Sequence, residues 1–131
     1  MAPRQVVNVI RCSTREAIVT RARWCASPWC RLVGLMFRSR LKEGEALILV
    51  EAADSRLATA IHMFFVPFPI AAIWINSAGQ VVDKVKALPW RPAYMPSAPA
   101  RYVLETAPDV LEKVSLGDEV VFEDCAPAAA R

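Results

Sequence analysis

Histidine and glycine are scarce in this chain, and each scarcity removes a class of chemistry. There is one histidine, His62, and there are four glycines in 131 residues. A single imidazole cannot build a zinc site of two cysteines and two histidines, or the His-Glu-x-x-His pair of a zinc protease. The cysteines are Cys12, Cys25, Cys30 and Cys125, and the four residues between Cys25 and Cys30 do not match a metal-binding spacing. No Gly-rich phosphate loop and no Gly-x-Ser-x-Gly elbow is present. The motifs therefore assign no metal, no cofactor and no catalytic residue. The first residues, MAPRQVVNVIRC, also lack the apolar core of a signal peptide. The expectation is a cytoplasmic protein with reduced, buried thiols.

Charge is missing from one long stretch. Residues 57–75, LATAIHMFFVPFPIAAIWI, are nineteen residues without Asp, Glu, Lys or Arg, and His62 is their only ionisable side chain. The length would suit a membrane helix. Pro67 and Pro69 argue against one, because each removes a backbone donor and disfavours helix in the residue before it. Turn formers follow at residues 76–80, then Val81-Val82 and alternating charge at residues 83–86. The stretch is read as a strand over residues 59–65, a proline corner at 66–69 and a strand over 70–76 that returns in a hairpin.

What the chain does have is apolar mass. With 55% hydrophobic residues and 10 prolines it is a turn-rich globule, long enough for one domain, expected over residues 1–125 with a frayed tail at 126–131. The net charge of +3 conceals a division. Up to Lys42, nine basic residues face Glu16 alone, and from Glu43 onward twelve acidic residues face seven basic ones. The Arg-rich third could form a surface for nucleic acid or anionic membrane. The simpler reading pairs basic early strands with acidic late ones, and no aromatic residue alternates with the arginines as a stacking platform would require.

Taken in order, residues 5–12 and 17–23 form a hairpin. Ser27-Pro28 is an N-cap and first-turn proline, and a helix is expected over residues 28–38 with Leu32, Leu35 and Met36 as its buried stripe. Gly34 falls in its middle, tolerable if something packs closely against it. Residues 46–50 are an interior strand. Four prolines between Leu88 and Ala100 mark an ordered loop carrying Trp90, Arg91 and Tyr94. Residues 101–106 form a strand, 108–114 a short helix, and 119–123 a closing strand. About eight short strands, one helix near residues 28–38 and no βαβ alternation imply a mainly antiparallel β-sandwich or barrel.

The ordered set Arg31-Leu32-Val33-Gly34-Leu35-Met36, Gly44-Glu45-Ala46-Leu47, Ile61-His62-Met63-Phe64-Phe65, Phe68-Pro69-Ile70, Gly79-Gln80-Val81-Val82, Pro89-Trp90-Arg91, Val103-Leu104-Glu105 and Gly117-Asp118 resembles the domain of unknown function 192 family. The resemblance runs from about Val6 to Glu123 and implies a small β-rich sandwich-type domain with one helix, of unassigned activity. Many members of that family carry Asn-Thr where this chain has Phe65-Val66, and most carry Asp where it has Ala71. In strand alternation Phe65 would share a face with Ile61 and Met63, and Ala71 with Ile73 and Ile75. The resemblance thus implies that any family chemistry at those positions is lost here.

The remaining candidates form a recognition surface. Trp90, Arg91 and Tyr94, with Arg101 and Glu105 on the next strand, are placed around a pocket over His62 and Trp74. Flat amphipathic rings and a guanidinium fork suit a small ligand or a protein partner. The leading expectation is a non-enzymatic binding module, monomeric or homodimeric. The alternative is a hydrolase- or isomerase-like enzyme using His62 with Glu105, and the third is the Arg-rich nucleic-acid or membrane binder.

Overall fold

A computed structural model describes residues 5–125; the tail at 126–131, expected to fray, lies outside them. Seven strands, β1 (Val6–Arg11), β2 (Ala17–Cys25), β3 (Ala46–Ser55), β4 (Ile70–Ile75), β5 (Val81–Ala87), β6 (Ala100–Thr106) and β7 (Val120–Asp124), are joined by a helix α1 (Pro28–Val33) and a 3₁₀ helix (Pro108–Lys113). They form one sheet in the order β5-β4-β6-β3-β2-β1-β7. Its edges meet at one corner. Gln80 bridges Glu119, and the Val120 amide donates to the Gly79 carbonyl at 2.8 Å. The sheet therefore curls into a half-barrel.

Alternation gives the central strands two apolar faces. Ile48, Val50, Ile73, Ile75 and Leu104 face one core, closed by Val110 and Val114 from the 3₁₀ segment. Leu47, Leu49, Ile70, Trp74 and Val103 face a second core, covered by Leu35, Ile61, Met63 and Val66. The charge division is partly used up in pairing. Arg11 meets Asp118 and Arg15 meets Glu123 across the β1–β7 seam, while Arg31 meets Glu51 and Arg38 meets Glu45.

The structure departs from the expected antiparallel sandwich of eight strands. There is one sheet among the described residues, and it is mixed, because β2 and β3 run parallel. The connection between them carries α1 and is long enough for a parallel crossover, so a βαβ unit is present after all. The missing strand is residues 59–65. This segment makes only an isolated bridge, Ile61 to Tyr94. Its backbone partner is the loop with Pro89, Pro92 and Pro96, where prolines lack the N–H groups that a ladder needs. Met63 instead donates to the Arg91 carbonyl and accepts from the Trp90 amide, at 2.8 and 2.9 Å.

The helix is also shorter than expected. Ser27 caps it through the Cys30 amide, but Gly34 ends it, with φ of +49° and its N–H donating to Cys30. The stripe splits accordingly: Leu35 is buried beyond the helix end, and Leu32 is exposed. The cysteines need correction as well. Cys25 and Cys30 are joined in a disulfide, Cys12 is exposed and Cys125 half-buried, so the reduced, buried thiols do not hold. A five-residue separation across the β2–α1 corner brings the Cα atoms to 5.6 Å, within the usual range for a disulfide.

Candidate functional site

The second face is incompletely filled. α1 and the residues after it, with the segment around residues 58–66, arch over β3 and β6 and enclose a cavity of about 230 Å³. Its walls are largely apolar, with Leu35, Met36, Leu49, Met63, Ile70 and Val103 among them, and its polar groups are Arg31, Glu51, Thr59, His62 and Glu105. An apolar hollow with a few convergent polar groups is the usual form of a small-ligand site.

Glu105 is the outstanding group. It follows Val103 by two positions on β6 and so presents to the same face. It is 5% exposed, and no hydrogen bond or ion pair is made by its carboxyl among the described residues. Burial raises its pKa from the ordinary carboxylate range to about 7. Gly34 stands against it: a Cβ on that residue would lie 3.6 Å from the Glu105 Oε1 atom. That is ordinary contact, so it is the positive φ at the helix end, and not a close neighbour, that calls for glycine here.

The other polar groups are engaged. Arg31 pairs with Glu51 at 2.8 Å and donates to the carbonyls of Ala26 and Val50. Thr59 donates to Ser55 and its carbonyl accepts the Trp74 indole N–H at 2.8 Å. The His62 Nδ1 atom accepts from the Phe64 amide at 3.2 Å, which leaves Nε2 as the nitrogen without a partner.

Of the residues selected from sequence, His62 and Glu105 line this cavity and five do not. Trp74 is buried beneath it and anchors Thr59. Tyr94 bridges Ile61, and its hydroxyl accepts from the Leu88 amide. Arg101 donates to the Glu51 carbonyl and lies over the Tyr102 ring. Trp90 is 52% exposed and packs edge-on against Phe65; Arg91 is exposed beside it. Phe65 does not share a face with Ile61 and Met63, because no strand exists there. It stacks on Phe37 at 4.9 Å. Val66 lines the cavity, whereas Ala71 lies on the opposite face with Ile73 and Ile75. Sequence reasoning missed Arg31, Glu51 and Thr59. The only signal for this wall was the glycine inside an apolar helical run.

The fold and cavity define a class: a small curled mixed-sheet domain with a ligand-sized hollow over its second face. The model of the domain of unknown function 192 family, described as Uncharacterized ACR, matches residues 9–122, and the chain belongs to that family. It is 36% identical over 95 residues to a UPF0127 protein of Thermococcus sibiricus, covering 71% of this chain and 60% of that protein. It is 36% identical over 86 residues to a UPF0127 protein of Pyrococcus furiosus, covering 66% and 71% respectively. A crystal structure of a candidate transcription regulator from Sinorhizobium meliloti 1021 superposes with a TM-score of 0.76 at 22% identity, over 92% of this chain and 94% of that one. A protein of unknown function from Novosphingobium aromaticivorans gives 0.72 at 21%, over 88% and 83%. At such identities these neighbours show the fold alone.

Proposed function

We propose that this domain is a small-ligand binding module whose site is the cavity between α1, residues 58–66, β3 and β6. The observation that carries the reading is Glu105: a residue only 5% exposed whose carboxyl has no protein partner and faces an apolar hollow. A ligand donor would supply this carboxyl with the partner that the protein does not. Native mass spectrometry of the freshly purified chain tests this. A discrete added mass on the wild type that is absent from Glu105→Leu supports the reading, and the same spectrum counts subunits. The same added mass on both proteins would place the ligand elsewhere.

A second reading is favoured by one fact, that His62 and Glu105 line the same hollow. A carboxyl with a pKa near 7 and an imidazole with a free Nε2 suit general acid–base work. If a turnover is found, His62→Ala and Glu105→Gln should each abolish it, and retention by both removes the enzyme reading. The Arg-rich surface is less favoured, since Arg11, Arg15, Arg31 and Arg38 are each in an ion pair. No helix among the described residues is long and apolar enough to cross a membrane. The Cys25–Cys30 disulfide favours an oxidising compartment over the cytoplasm.

A further inference from the structure

We infer that the ligand of this cavity is a small organic cation, an ammonium or amidinium on an apolar body, whose charged nitrogen donates to Glu105. The inference rests on the reading of the cavity as a ligand site and names its ligand class.

The argument is one of charge and donors. The cavity's ionisable groups come from every element around it: Arg31 from α1, Glu51 from β3, His62 from the covering segment and Glu105 from β6. Arg31 and Glu51 neutralise each other, and Arg31 spends further N–H groups on two backbone carbonyls. Arg38 and Glu45, near the end of β3 that flanks Glu105, are likewise bonded to each other at 2.7 and 2.8 Å. β4 contributes only apolar side chains. His62 apart, no basic side chain of the cavity wall is left to meet Glu105 or to receive an anionic ligand. With Glu105 ionised the site carries one uncompensated negative charge inside apolar walls. A buried charge is tolerated when paired, and charge-assisted hydrogen bonds are the stronger kind.

Size sets the body. Counting about 30 Å³ per water-sized group, the hollow has room for roughly seven or eight non-hydrogen atoms. Its walls, Leu35, Leu49, Met63, Ile70 and Val103, ask for hydrocarbon. Gly34 fits this account. It lines the cavity beside the carboxyl, where a Cβ would stand 3.6 Å from the Glu105 Oε1 atom.

The proton balance follows. Where Glu105 is protonated, binding a cation expels that proton to solvent. Where it is already ionised, binding releases none. Affinity for a cation therefore rises with pH through the range around 7 in which this carboxyl titrates, up to about tenfold per pH unit below it.

The test is calorimetric titration of the full chain with three probes on one phenyl ring and within one non-hydrogen atom of each other in size: benzylammonium, benzyl alcohol and benzoate. At pH 8 benzylammonium should bind at least tenfold more tightly than either of the others, and Glu105→Gln should erase that preference. Wild-type affinity for benzylammonium should fall about tenfold or more at pH 5.5. Buffers of different ionisation heat should there report close to one proton released per ligand. This wild-type measurement stands whether or not the variant folds. If benzyl alcohol or benzoate binds as well as benzylammonium, or if no proton is released, the cation inference fails and the cavity remains a ligand site. If none of the probes binds, the cavity reading falls with it.

Discussion

At the scale of single residues, Glu105 makes a statement about stability as well as binding. Its folded-state pKa lies near 7, raised by burial from 4.5, so the folded protein holds this proton more tightly than the unfolded chain does. The stability linked to it is complete below about pH 4.5 and is lost as pH rises through 7, an effect of at most about 3 kcal/mol. Glu105→Gln keeps the shape and removes the titration. Urea unfolding should show the variant gaining on the wild type by roughly 2–3 kcal/mol between pH 4.5 and pH 8.5. Parallel stability profiles would mean that the carboxyl is hydrated in the folded state. His62 and Glu105 were legible in the sequence because a lone imidazole and a charge within a β-branched run are conspicuous. Arg31 and Thr59 were not, since their place depends on where a short helix stops and on how an irregular segment folds back. The clustering of three exposed aromatics was equally hidden. Phe37, Phe65 and Trp90 all adopt positive φ, near +61° to +66°, a backbone state that costs an ordinary residue about 1–2 kcal/mol. The stacking of Phe65 on Phe37 and its edge-on contact with Trp90 offset part of that.

At the scale of elements, closure and capping decide the shape. Gly79 has φ of +85°, and a Cβ there would lie 2.6 Å from the Val120 carbonyl oxygen, the point where β5 meets β7. Gly44 has φ of +74° with nothing within 4 Å. Gly44→Ala should therefore cost only the backbone penalty, about 1 kcal/mol, whereas Gly79→Ala should cost about 3 kcal/mol by also prising the corner apart. Equal losses in denaturant melts would show that the corner yields freely. α1, at six residues, is too short to hold by itself; the Ser27 cap, the Arg31 contacts and the Cys25–Cys30 disulfide hold it. Reducing the disulfide should speed amide exchange over residues 28–34 and weaken ligand binding, while β4 and β6 keep their protection. All seven strands were legible, β3 over its first half, because alternation, short apolar runs and turn residues mark them. The strand wrongly expected over residues 59–65 shows the limit: an apolar alternating run becomes a strand only if a neighbour offers a ladder, and here the neighbour is proline-rich.

At the scale of the molecule, a two-faced sheet is closed on one side by a 3₁₀ segment and left partly open on the other under an irregular cover. The contrast has a physical basis. The first core is sealed by Val110 and Val114, which pack directly onto the strands. The second is roofed by chain whose backbone bonds run mainly to another loop, through Ile61 with Tyr94 and Met63 with Trp90 and Arg91. Two bonds of Thr59 tie that roof to the sheet: its hydroxyl donates to the Ser55 carbonyl at the end of β3, and its carbonyl accepts the buried Trp74 indole N–H at 2.8 Å. Trp74→Phe keeps most of the apolar volume and deletes the donor, leaving a buried carbonyl unpaired at a cost of about 1–3 kcal/mol. That loss should be felt mainly by the roof, because β4 itself remains hydrogen-bonded to β5 and β6 on both sides. Hydrogen exchange should then show residues 58–66 opening faster in the variant, with β3, β4 and β6 unchanged, and ligand affinity falling by tenfold or more. If the central strands lost protection equally, roof and sheet would open as one unit, and the cavity would be a fixed hollow and not one with a separable cover.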